Sequence, residues 1–280
     1  MERNIRLPAY DRLSVVTAVI VLGYALTRVV EIPSRIVETT LFGSPIGITL
    51  DGQSLLLLLV AALISTGSDA VIRSHPHLQS RTTTGVSTAI HWILPGLAAL
   101  ALGLLLNQAP TGPAWWLGLG LSATFLVLIM LAEYTVVDVE DNGFRSARLG
   151  LTLLAYLVLL AILGWMRFSG ARAAISASAG ALVAGAVSFR LLRLYDVSTL
   201  YALSSATIVA LVLGQSVWAI NYWFIHPLGA GLLLLDVFYV VHGLLQQNAN
   251  PPVSRRVIVE YVVVGGIGLG LALQFLNRPV

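Results

Sequence analysis

Residues 114–137 read AWWLGLGLSATFLVLIMLAEYTVV, an apolar run with one charged side chain, Glu133, near its end. At a rise of about 1.5 Å per residue, a helix of this length crosses a hydrocarbon core about 30 Å thick. Water would oppose the exposure of such a surface, whereas lipid accepts it. Inside lipid the backbone must satisfy its own hydrogen bonds, which selects helix over open strand. Trp115 and Trp116 at one end suit a membrane interface.

The pattern recurs along the chain. Apolar stretches lie at 13–32, 52–72, 88–106, 114–137, 147–166, 172–194, 200–224, 227–245 and 257–276. Turn formers separate them, as in Asn107-Gln108-Ala109-Pro110-Thr111-Gly112-Pro113 and Asn248-Ala249-Asn250-Pro251-Pro252. Of the 280 residues, 57% are apolar and 10% charged, and mean hydropathy is +0.87. Soluble domains carry about 25% charged residues, so a water-soluble globule is excluded, and disorder needs the opposite composition. The expectation is an all-α polytopic membrane bundle of nine helices, with eight as the alternative, and residues 1–280 forming one transmembrane domain. The segment 33–51, with Pro33, Gly43, Pro45 and Gly47, is too broken to span and reads as an external loop or an interfacial piece. The first apolar run is too long for a cleavable signal, and no small-residue cleavage site follows it.

The chain has no Cys and no Lys; all 16 basic residues are Arg. That removes disulfides, thiolate metal sites, iron–sulfur clusters, Schiff bases and a P-loop lysine. The net charge of +3 and pI near 9.4 do not point to nucleic acid, because the Arg residues sit singly or in pairs between apolar runs. They fit orientation in a bilayer instead. With the N-terminus cytoplasmic, eleven Arg fall inside and five outside, the latter being Arg28, Arg35, Arg167, Arg172 and Arg278. A cell inner (plasma) membrane location with N-in and C-out follows as the expectation.

An ungapped offset of 111 residues aligns Ala99–Gly103 with Ala210–Gly214, Leu117–Leu121 with Leu228–Leu232, Arg145 with Arg256, and Arg167 with Arg278. The alternative is chance matching in a Leu/Ala/Gly-rich chain. If real, the repeat makes parallel halves, 52–166 and 172–276, in a one-plus-four-plus-four plan, with a site expected between them.

Ionisable groups inside a bilayer are costly, so each marks a site or a buried pair. They gather toward the cytoplasmic ends. Glu133, Asp196, Asp236 and His242 are the candidate acid–base or proton-handling groups. Arg73, Arg190 and Arg193 are candidates for holding an anionic head group, and Tyr239 is a further substrate-binding candidate. Arg190 and Arg193 share a helix face, and Asp196 can pair with Arg193. Asp236, Tyr239 and His242 are expected to form one inward-facing stripe. Against each stands a plainer reading: snorkelling anchors for the arginines, a helix ion pair for Asp69 and Arg73, satisfied polar groups for the histidines. His75-Pro76-His77 resembles a metal clip without a third ligand, and no metal is assigned. His91 and His242 on different helices could hold a haem, but no cofactor is identified. The glycine run Gly265-Gly266-Ile267-Gly268-Leu269-Gly270 reads as close helix packing rather than a nucleotide loop.

Nine helices with polar ends at Ser68-Asp69-Ala70-Val71-Ile72-Arg73 and Arg190-Leu191-Leu192-Arg193-Leu194-Tyr195-Asp196 form a layout similar to that of UbiA-type intramembrane prenyltransferases. That family has Asp-rich motifs after the corresponding helices. Each stretch here holds one Asp, too few for paired Mg²⁺ sites, so the resemblance covers layout alone. The functional expectation is a membrane-embedded enzyme or binding protein for an amphiphilic, lipid- or isoprenoid-like substrate with an anionic head. The alternatives are a proton-coupled secondary transporter and a structural subunit with partners in a membrane complex.

The Arg asymmetry makes a topological prediction. Reporter fusions after residue 145 should read cytoplasmic, and fusions after residue 225 should read external. The reverse pattern, or one side for both, contradicts it.

Overall fold

Apolar runs become helices wherever they are long enough to cross lipid. The structure, a computed structural model, describes residues 10–30, 33, 35–41, 44–50, 52–76, 88–249 and 255–274. Helix α1 spans Tyr10–Val29, α2 Gly52–Ile72 and α3 Ile93–Gln108, the last entered through a 3-10 turn, Ala89–Trp92. Then come α4 (Pro113–Thr135), α5 (Phe144–Phe168), α6 (Ala173–Leu194), α7 (Thr199–Ile220), α8 (Pro227–Asn248) and α9 (Arg255–Leu273). Among the described residues, eight spans are long and apolar enough to cross a membrane, while the apolar part of α9, Ile258–Leu271, is shorter. The protein is a multi-pass helical membrane bundle.

Segment 33–51 does not span as a helix. Its backbone forms a two-stranded antiparallel hairpin, β1 (Arg35–Leu41) and β2 (Ser44–Leu50), with Arg35 opposite Leu50 and Leu41 opposite Ser44. The sequence reading saw its Gly and Pro but not its β-branched residues, Ile36, Val37, Thr39, Thr40, Ile46, Ile48 and Thr49. These favour extended backbone.

The chain divides between Ala147 and Arg148 into two compact units. In the first, α2 packs on α1 and α3, and α4 closes against all three. Tyr24 of α1 is fully buried and its hydroxyl donates to the Ala99 carbonyl at 2.6 Å, tying α1 to α3. Gly103 leaves room for the Tyr24 ring; a Cβ there would sit 3.1 Å from its Cε1.

In the second unit, α6 and α7 form the closest pair. Ala177, Ala181 and Gly185 recur every fourth residue on α6, as do Ala206, Ala210 and Gly214 on α7. A Cβ on Gly185 would lie 3.0 Å from the Ala210 Cβ and 3.3 Å from the Ala206 carbonyl oxygen. A Cβ on Gly214 would lie 3.0 Å from the Ala181 Cβ and 3.4 Å from the Ala177 carbonyl oxygen. The interface is thus reciprocal, each glycine seated against the small residues of the other helix. In lipid, where burial of apolar surface gives no drive, such contact is what holds helices together. On α8, a Cβ on Gly231 would lie 3.2 Å from the Gly164 Cα of α5.

Several Ser and Thr hydroxyls within the spans close on their own helix. Thr17, Thr66, Thr124, Ser178 and Thr207 each donate to the carbonyl four residues back, which satisfies the group without water. At the breaks, Gly112 adopts φ +122°, which L side chains rarely take, and Pro113 opens α4 at a position that needs no N–H.

The reciprocal glycines predict a stability difference. Gly185→Leu or Gly214→Leu should cost about 1–3 kcal/mol by overpacking. Leu211→Ala on the exposed face should change stability by about 0.5 kcal/mol or less. Unfolding of the three variants in micelles compares them, and equal stabilities would show that α6 and α7 do not depend on close approach.

Candidate functional site

Each unit carries a cluster of polar contacts at one end. In the first, that end is built from the start of α1, the end of α2, the 3-10 turn and the end of α4. Arg12 donates to the Ala70 carbonyl at 2.8 Å. Asp69 and Arg73, one turn apart, form an ion pair at 2.6 Å. Glu133 is wholly buried, and His91 Nδ1 lies 2.7 Å from its Oε2. A carboxylate can only accept, so Nδ1–H is the donor. The buried His75 ring packs on Tyr134 at 4.6 Å between centroids. Two buried atoms at this end, Asp69 Oδ1 and Trp92 Nε1, have no hydrogen-bond partner among the described residues.

In the second unit the polar end joins the start of α5, the end of α6, the start of α7, the end of α8 and the start of α9. The Arg148 guanidinium sits 4.7 Å from the centroid of the Tyr195 ring. The Tyr201 hydroxyl donates to the Leu245 carbonyl at 2.7 Å. Buried His242 shares a hydrogen bond with the Ser188 hydroxyl at 2.9 Å and stacks on Phe238. The Tyr261 ring of α9 lies over Gly243, where a Cβ would be 2.5 Å from its Cζ.

Asp236 stands apart from this end, near the middle of α8. Its carboxyl group presses on α9 at Gly268, where a Cβ would lie 2.5 Å from the Asp236 Cγ. The glycines of α9 are therefore what let a carboxyl group fit between the two helices. Among the described residues nothing donates a hydrogen bond or pairs with it. It lines a groove of about 240 Å³ with Tyr156 of α5, Leu232, Leu235 and Tyr239 of α8, and Val264, Gly268 and Leu271 of α9. The rings of Tyr156 and Tyr239 are 6.4 Å apart, and those of Tyr239 and Tyr261 are 5.2 Å apart.

These positions redraw several expectations. Asp236, Tyr239 and His242 do not share one stripe. Each three-residue step falls about 60° short of a full turn, so six residues turn the side chain by about 120°. Asp236 faces α9, and His242 reaches Ser188 of α6. Asp196 is exposed and does not pair with Arg193; it takes φ +55° just after the last turn of α6. That left-handed position ends helices and tolerates a short polar side chain. Arg193 instead donates to the Val197 carbonyl. Arg190 is buried. Arg73 is half-exposed in its pair with Asp69. His77 of the His75-Pro76-His77 motif lies outside the described residues, and among those described no group of three metal-ligating side chains forms. The sequence reading singled out Glu133 and His91 but did not pair them. It missed Ser188, Tyr156 and Trp92, which look in sequence like ordinary helix residues.

The chain belongs to a family described as "Protein of unknown function (DUF5656)", whose sequence model matches residues 32–275. No curated protein and no solved structure matches it. The resemblance of layout to the prenyltransferases gains no support there.

The buried Glu133–His91 pair carries a direct test. His91→Leu removes one donor from a fully buried carboxylate and should destabilise the protein by about 1–3 kcal/mol. His91→Gln keeps an N–H donor and should recover part of the loss. Unfolding in micelles measures both, and a His91→Leu protein as stable as the parent would show the pair to be dispensable.

Proposed function

We propose that this protein works inside the cytoplasmic membrane, N-terminus inward, as a binding protein or enzyme for an amphiphilic, lipid-like molecule. The observation that carries the reading is the groove on the second unit. Its walls are almost wholly apolar, one titratable carboxyl group stands in it, and it opens sideways between α5, α8 and α9. An apolar pocket with a few placed polar groups is the usual form of a small-molecule site. A lateral opening suits a ligand that arrives dissolved in lipid.

The other readings have less support. A head group held by Arg73, Arg190 and Arg193 would need arginines free to turn to it. Arg73 and Arg193 are engaged with Asp69 and the Val197 carbonyl. A proton-coupled carrier would use the same Asp236, but carriers build their sites from helices broken near mid-depth. Here α5, α6, α7 and α8 run unbroken over their lengths. A purely structural subunit does not require a carboxyl group in a lipid-facing groove.

The full chain, purified in mild detergent, should carry a defined lipid-like molecule visible by native mass spectrometry. Leu235→Trp fills the groove and should lower its retention roughly tenfold, the equivalent of about 1.4 kcal/mol. Equal retention by parent and variant, or no bound molecule in either, contradicts the reading.

A further inference from the structure

Asp236 poses a problem that the fold solves for other polar groups of the spans. Thr17, Thr66, Thr124, Ser178 and Thr207 close on their own helices, Ser188 meets His242, and Glu133 has His91. The Asp236 carboxyl group has neither donor nor cation among the described residues, yet it sits near the middle of an apolar helix. An ionised carboxylate there costs several kcal/mol against water. It must be neutralised, by a proton or by a cation brought to it.

The groove shows which kind of cation fits. A hard metal ion needs about six oxygens converging on it. The lining offers one carboxyl group and two phenols, and the rest is Leu, Val and Gly. A compact inorganic ion would stay under-coordinated and lose its hydration. An organic ammonium makes the opposite demand: diffuse charge, no directed ligands, and apolar substituents seeking an apolar wall. Aromatic faces within about 6 Å attract such a charge, and the rings of Tyr156 and Tyr239 line the groove beside Asp236. The titratable groups lining the groove beside Asp236 are Tyr156 from α5 and Tyr239 from α8, with Tyr261 of α9 against Tyr239; Arg145, Arg148 and Arg167 of α5 and Arg255, Arg256 and Glu260 of α9 stand toward the helix ends, outside that lining. His242 is turned toward α6.

We infer that the groove between α5, α8 and α9 binds a lipophilic organic cation, with Asp236 as its counter-charge and the rings of Tyr156 and Tyr239 as aromatic walls. The inference rests on the reading that this groove takes an amphiphile, and it names the ligand's class. Binding is an exchange: the protonated Asp236 gives its proton to water, and the carboxylate left behind pairs with the incoming ammonium. Net charge in the groove is zero before and after, so the bilayer never holds an unpaired carboxylate. Gly268 is part of the device, because any side chain there would drive the carboxyl group out of its place.

The test uses the full chain in lipid nanodiscs and radiolabelled tetrapropylammonium in equilibrium dialysis, with empty nanodiscs subtracted. The parent should bind one saturable equivalent and release one proton per cation bound in weak buffer. Affinity should fall about tenfold for each unit by which pH is lowered through the range where Asp236 is protonated in the free protein, because each cation bound displaces one proton. Asp236→Asn, nearly isosteric, should weaken binding at least tenfold, which is about 1.4 kcal/mol, and abolish proton release. Tyr239→Phe keeps the ring and should bind like the parent, whereas Tyr239→Leu should lose several-fold. Equal binding by Asp236→Asn, or binding without proton release, overturns the inference. If tetrapropylammonium does not bind while a neutral or anionic lipid is retained, the ligand class is wrong and the amphiphile reading stands. If neither is retained, both fall.

Discussion

In the hydrocarbon core no water is available, so each polar group has to be satisfied by the chain itself or by something the chain binds. Most of what is distinctive here follows from that constraint. It makes the backbone helical, closes hydroxyls such as Thr17 and Ser178 onto the preceding turn, and brings His91 to the wholly buried Glu133. It also places polar contacts at the ends of the helices, where those ends can share partners, as Arg12 does with Ala70 and Arg167 with Trp223. Asp236 is the exception, and an exception in such a medium is informative in a way it would not be in water.

The second consequence concerns contact between helices. Lipid tails compete for apolar surface on equal terms with leucine, so helices associate where backbones approach closely. The second unit uses small residues in two ways. Between α6 and α7 they are matched, glycine against alanine in both directions, and the result is a tight pair. Between α8 and α9 two glycines receive a large group from the other helix: Gly243 takes the Tyr261 ring, and Gly268 takes the Asp236 carboxyl group. The same residue type therefore makes a seam in one place and a socket in the other. Only the partner distinguishes them.

Much of the fold was legible before any coordinates. Segment 52–72 is a helix over that same range, and segments 172–194 and 227–245 fall within a few residues of α6 and α8. An apolar run of given length has a single solution in lipid, so composition and spacing suffice. The hairpin at 35–50 was not legible as strands, since its Gly and Pro dominated the reading and its β-branched residues were discounted. Candidate residues were found one by one, because a charge in an apolar run is conspicuous. Their partners were not, because Ser188, Tyr156 and Gly268 are unremarkable in a helix.

The sequence by itself determined that this is a polytopic helical membrane protein, where its helices run, and that Glu133, Asp236 and His242 need an explanation. Those conclusions depend on transfer energies and on helix length, which are properties of single segments. The tertiary structure decided what each group meets: that Glu133 receives a proton donor from His91, that His242 turns to Ser188, and that Asp236 lies against the glycines of α9. These outcomes depend on the rotation and depth of one helix against another. A turn of about 100° per residue sends neighbouring side chains to different partners, and no spacing within one segment reports which helix stands there.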